Sequence, residues 1–187
     1  MKKIQIAFAL SLGILAVVGC SSGPEVKQQK YAKLPDERTF EYEFPTVWSG
    51  VEQTFKNFPI LKRDPDEVSE LELEKLSKRK IETDFIYTNS RDKYQEYKVN
   101  GLPKKKYLQS RIKYLLTAQN TLGGVHVTIR TTEEIEKLKP NGESDGYSKV
   151  DQIDTSRPAE LLDKIQNSIH INGGKPAPSA PPIGQED

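Results

Sequence analysis

From Leu108 to Ala118 the chain alternates without a break: Leu108, Ser110, Ile112, Tyr114, Leu116 and Ala118 on one side, Gln109, Arg111 and Lys113 on the other. A period of two is the repeat of a β-strand with one face dry and one face wet. Val125, Val127 and Ile129 repeat the pattern against His126, Thr128 and Arg130, after an Asn120–Gly124 stretch rich in hairpin-forming residues. Such a sheet must cover its apolar face with something else. Two further stretches alternate, Phe40, Tyr42 and Phe44, then Ile81, Thr83, Phe85 and Tyr87. Their polar alternates imply that the opposite sheet face meets water.

The cover comes from helical stripes. Val47, Val51 and Phe55 recur at i, i+4 and i+8, with Trp48 and Phe58 flanking them; Thr46 is placed to cap this helix and Pro59 to end it. Trp48 on that stripe is expected in the core. Ile60–Leu61 starts a short strand. Asp64-Pro65-Asp66-Glu67 has the form of a capping box, so a helical insert is expected over 65–79. A last helix opens at Ser156 and Pro158, carries Leu161, Leu162, Ile165 and Ile169 on one stripe, and stops at Asn172-Gly173-Gly174. The expected fold is α+β: a single domain over 38–172, with a curled antiparallel sheet gripping a first and a C-terminal helix. Residues 20–37 are polar and aperiodic and are expected to be a tether, and 173–187, rich in proline, a disordered tail.

Lys2-Lys3, an apolar run from Ile4 to Val18, and then Gly19-Cys20 with Ser21-Ser22-Gly23 follow the order of a secretory signal. The run is too short to span a bilayer, which needs roughly 20 apolar residues. Val17-Val18-Gly19-Cys20 resembles the lipobox of bacterial lipoprotein precursors, although Val17 stands where leucine is commoner. That resemblance implies removal of residues 1–19, a diacylglyceryl group on the Cys20 thiol, and acylation of the new amine. Ser21 and Ser22 supply no aspartate of the kind that retains lipoproteins in the inner membrane, so the resemblance implies an outer-membrane, periplasm-facing protein. Loss of the two signal lysines leaves 26 basic against 27 acidic side chains, which argues against a nucleic-acid partner. Cys20 is the chain's one cysteine, so stability must come from packing rather than from an internal disulfide.

The element order resembles the helix-grip domains of BamC-type lipoproteins, accessories of the outer-membrane β-barrel assembly machinery. The residues that carry the likeness are Phe44-Pro45-Thr46-Val47-Trp48, Lys62-Arg63-Asp64, Ile81-Glu82-Thr83-Asp84-Phe85 and the helix from Ser156. Members of that family typically carry two such domains, and this sequence has room for one. The resemblance implies a non-catalytic accessory with a protein partner in the envelope, held to the membrane by its lipid.

No constellation points to catalysis. His126 and His170 have no histidine companions for a metal site, which usually needs three or four converging ligands. Ser77-x-x-Lys80 and Ser110-x-x-Lys113 match the serine–lysine spacing of penicillin-recognising enzymes, without the companion motifs. Glu133-Glu134 is expected in a turn. The chain therefore reads as non-enzymatic, with no cofactor and no metal, and an unrecognised hydrolase is the least favoured class. The alternative to a scaffold is a lipoprotein that binds a small hydrophobic ligand or lipid, since START-like helix-grip folds enclose apolar cavities and Pro45–Trp48 resembles their helix start. A short closing helix and mostly short strands favour the scaffold. Asn89–Lys106 is expected to be a long polar hairpin loop, and Tyr94, Tyr97, Lys104, Lys105 and Lys106 are its candidate interface residues.

Overall fold

The structure, a computed structural model, describes residues 25–30, 32–66, 69–73, 75–139, 141 and 143–171. The signal segment, Cys20 and the proline-rich end at 173–187 lie outside these residues. Among these residues, eight strands form one open antiparallel sheet. Its spine is two long strands, β6 (Leu102–Thr121) and β7 (Gly124–Leu138), paired from Thr121↔Gly124 to Ser110↔Ile135. The other edge of β6 takes two strands end to end, β4 (Lys78–Thr83) and β5 (Ile86–Val99). β7 takes β2 (Glu37–Phe40) and β8 (Ser144–Lys149) in the same manner. β3 (Ile60–Asp64) extends the sheet beyond β4, and β1 (Lys27–Gln28) beyond β5.

Two helices, α1 (Phe44–Phe55) and α3 (Ser156–Ile171), cover one face, as the α+β reading of the sequence requires. Phe40, Ile81, Ile112, Leu116, Val125, Val127 and Ile129 meet Val47, Trp48, Val51 and Phe55 of α1, and Leu162, Ile165 and Ile169 of α3, in one buried cluster. Each such aliphatic or aromatic side chain contributes about 1.5–3 kcal/mol by leaving water. Trp48 is 1% exposed, stacks on Phe44, donates Nε1–H to Glu52 at 3.0 Å, and has the Arg79 guanidinium 4.5 Å over its ring. Gly50 sets the helix spacing: a Cβ there would stand 2.9 Å from Ile169 Cγ1. Gly124, at φ +122°, lets β7 approach Phe40 so closely that a Cβ would meet its carbonyl oxygen at 2.1 Å.

Several sequence expectations are corrected. The first strand stops at Phe40 and the helix begins at Phe44, two residues before Thr46. Glu43 is its N-cap residue and makes no side-chain capping bond. Asp64 is a strand residue, and the helical insert shrinks to α2 (Glu70–Leu73). The capping box belongs to Ser69 and Glu72, whose carboxylate accepts from the Ser69 amide at 3.0 Å and hydroxyl at 2.7 Å. The stretch from Lys27 on, expected to be part of a tether, contributes β1, and Glu37 already belongs to β2. β8 has no apolar alternation, and nothing in the sequence marks it as a strand. The spine strands run 20 and 15 residues, while β1, β2, β3, β4 and β8 have six or fewer.

Asn89–Lys106 is not a loop. β5 and β6 stay paired out to Val99↔Leu102 and turn at Asn100–Gly101, where φ values of 51° and 80° match the left-handed pair a tight hairpin needs. Two register breaks interrupt the outer edge. The pairing slips by one residue between Glu82↔Leu115 and Ile86↔Ile112, so Ile81 and Thr83 face the core while Tyr87 turns outward. Four residues, Ser90 to Lys93, then stand opposite Leu108 before pairing resumes at Tyr94↔Tyr107.

Candidate functional site

Beyond the Ser90–Lys93 bulge the hairpin leaves the body as an arm, residues 94–107. Cross-strand partners share a face. One face of the arm holds Tyr94 and Tyr107, Glu96 and Lys105, Lys98 and Pro103; the other holds Gln95 and Lys106, Tyr97 and Lys104, Val99 and Leu102. The five residues singled out in the sequence therefore share the arm but divide between its faces. Tyr94 packs beside Tyr107, and Lys105 Nζ lies 4.3 Å over its ring, a cation–π contact. Tyr97 stands beside Lys104, and every residue from 96 to 107 is exposed. Residues 97–106 carry four lysines and no acid.

A second surface was hidden by the one-residue slip. On the wet face of the sheet, the Arg111 guanidinium lies 4.5 Å from the Phe85 ring and 4.8 Å from the Tyr147 ring, held by Glu134 at 2.6 Å. Tyr87 meets Tyr147 edge to face at 6.0 Å and is 67% exposed. Sequence alternation assigns Phe85 and Tyr87 to the core. The signal for the slip is Asp84, whose carboxylate accepts from the Phe85 amide at 2.7 Å and turns the chain between β4 and β5.

The base of the arm is polar and buried. Lys93 Nζ lies 2.9 Å from Asp92 and 3.4 Å from Glu133, with all three side chains under 10% exposed. Burial favours the neutral form of Asp92, but hydrogen bonds from Lys93, Ser90 and Gln28 outweigh it and hold the carboxyl below its usual range. Burial pushes Glu133 the other way, up, with Lys93 opposing. Glu133 is a β7 residue facing Ile112 and not a turn residue. Its position was legible, since it continues the 125, 127, 129 phase. Burial also raises Tyr114 to about 12, so its phenol stays protonated.

The space between helices and sheet is filled by side chains. The larger opening, 760 Å³, lies at the periphery, where Gln28, Asp92, Arg130, Thr131 and Asp154 line it beside Pro158. A groove of 230 Å³ lies between α3 and the sheet, lined by Phe58, Ile86, Ile112, Tyr114, Arg157 and Leu161. Ligand pockets usually enclose about 300–1,000 Å³ with mostly apolar walls, so the groove is undersized, and the larger opening, though of ligand size, is an open cleft whose walls mix Ala32, Ile153 and Pro158 with Asp92, Arg130 and Asp154.

The catalytic patterns do not assemble. Ser110 is buried in β6, while Lys113 emerges on the opposite face and bonds Glu82 at 2.8 Å. Lys80 is 3.8 Å from Asp64. His126 Nδ1 is 3.1 Å from the Thr39 hydroxyl, and its other nitrogen is 3.6 Å from Glu37. His170 near the end of α3 touches Gln166 and the edge of Tyr42. Among the described residues no three metal-ligating side chains converge, and no helix is long and apolar enough to cross a membrane. The chain matches no model of a known protein family, and no curated protein is significantly similar to it.

Proposed function

We propose that this chain is a lipid-anchored lipoprotein of the outer membrane's periplasmic face, acting as a non-catalytic accessory through contact. The BamC-type resemblance supplies outer-membrane protein assembly as the setting. The observation that carries the contact reading over the ligand-binding one is the filled interior: Trp48, Phe55, Leu162 and Ile165 pack together with the sheet in one buried cluster. Contact surface is supplied outside, by the arm and by the Phe85, Tyr87, Arg111 and Tyr147 patch. Tyrosine and arginine dominate interface hot spots because they combine apolar area with fixed polar groups.

A photo-crosslinking residue in place of Tyr87, in the acylated chain in its native envelope, tests this. A discrete protein adduct is the expected result. Recovery of a stoichiometric small lipid from the purified protein, with no protein adduct at Tyr87 or in the arm, would favour the ligand-binding reading instead.

A further inference from the structure

Resting on the reading of Cys20 as an acylated anchor, we propose that the tip of the β5–β6 arm is a second membrane contact. Its lysines lie among anionic lipid head groups, and Val99 and Leu102 enter the interface. Three observations lead there.

The first is direction. β1 runs antiparallel to β5, with Lys27 opposite Tyr94 and Gln28 opposite Lys93, and Lys27 Nζ reaches Glu96 at 2.7 Å. Followed from Gln28 back toward Cys20, the chain at β1 runs the way β5 runs toward its tip. The second is length. Lys27 is seven positions on from Cys20, a reach of at most about 25 Å. Asn100 is six positions on from Tyr94, about 20 Å of strand. Fully extended, the leash would span about as much as the arm, so a bilayer holding Cys20 can lie within reach of the arm's tip. A leash this short keeps the tip at millimolar effective concentration, and a weak contact suffices.

The third is chemistry. The tip pairs exposed Val99 and Leu102 ahead of Tyr97 and of Lys98, Lys104, Lys105 and Lys106, with no acid among residues 97–106. Apolar residues first, then tyrosine and lysine, is the order of an interfacial insertion. The other end of β6 provides the contrast. There Leu122 is 95% exposed at the β6–β7 turn, but residues 119–124 carry no charge, and this end is a full 20-residue strand away.

Acylation consumes the Cys20 thiol, so a Leu102→Cys variant of the acylated full chain offers one thiol for an environment-sensitive fluorophore, and Leu122→Cys is its control. Both are bound to phosphatidylethanolamine–phosphatidylglycerol vesicles containing a lipid-borne quencher. The expected result is at least two-fold quenching at position 102 and none at 122. Replacing Lys104, Lys105 and Lys106 by glutamate should reverse it, each lysine near an anionic surface being worth about five-fold in binding. An acylated chain unquenched at 102, or quenched equally at both positions, overturns the second contact and leaves the anchor standing. A native mass without lipid on Cys20 overturns both. An arm that stays unquenched on vesicles but crosslinks to protein in native membranes belongs to a protein partner, and overturns the proposal too.

Discussion

β6 is one strand with two lives. From Leu108 to Ala118 its inward residues are buried beneath α1 and α3, while from Leu102 to Tyr107 both faces meet water. Backbone pairing is continuous across the two halves on the β5 and β4 edge, apart from the bulges. What differs is whether a face has something to bury. A half-buried strand is held in register by the alternation itself, whereas a strand wet on both sides is held by its turn and its cross-strand pairs. The body should therefore carry the stability and the arm the contacts.

Breaking the body should cost most. Trp48→Ala leaves a large cavity between α1 and the sheet and removes the ring beneath the Arg79 guanidinium, a loss of about 3–5 kcal/mol, readable as a lowered denaturation midpoint with unchanged slope. With its one tryptophan buried, the native chain should emit in the blue and resist acrylamide. A surface-like emission would move Trp48 out of the core.

The junction of body and arm should be nearly as sensitive, and sensitive to pH. Lys93→Met leaves Asp92 and Glu133 buried without their cation, which typically costs about 3–5 kcal/mol. Glu133 is already raised in the folded state; a raised carboxyl contributes stability below its unfolded value of 4.5 and loses it as pH rises. The deficit of the variant should therefore shrink as pH falls from 7 toward 4.5. Asp92, lowered by its hydrogen bonds, works in the opposite sense, and its contribution in the native chain is lost as pH falls below its unfolded value of 3.8. Equal deficits at both pH values would show that Glu133 does not titrate with folding.

Cutting the arm should cost little, provided the cut is placed beyond the bulge. Joining Tyr94 to Tyr107 through Asn-Gly removes only exposed or half-exposed side chains, and thermal stability should change by less than about 1 kcal/mol. A cut from Asn89 would delete Asp92 and Lys93 and resemble the charge variant. Smallest of all should be Leu122→Ser at the far turn, within about 0.5 kcal/mol.

Legibility in the sequence follows the same division. Leu108–Ala118, Val125–Ile129, the α1 stripe and the α3 stripe all bury one face, and each was readable as a period of two or of 3.6. Residues 94–107 bury neither face, so no period marks them as strand, and only Asn100–Gly101 signals the hairpin. β8 is silent for the same reason. Alternation places Tyr87 in the core, but a single extra residue near Asp84 flips every following side chain. The junction charges were half visible: Glu133 sits on the core phase of β7, but its partner Lys93 lies in a four-residue bulge that no periodicity announces.

The division of labour between body and arm is tested most directly by amide hydrogen exchange. The comparison is between the acylated full chain on phosphatidylglycerol-containing vesicles and the Cys20→Ala chain free in solution. The account predicts that amides of 108–118 and 125–129 exchange slowly in both states, while those of 94–107 exchange quickly in solution and slow on the membrane. An arm that exchanges as slowly as the body in solution, or one whose exchange is the same in the two states, would contradict it.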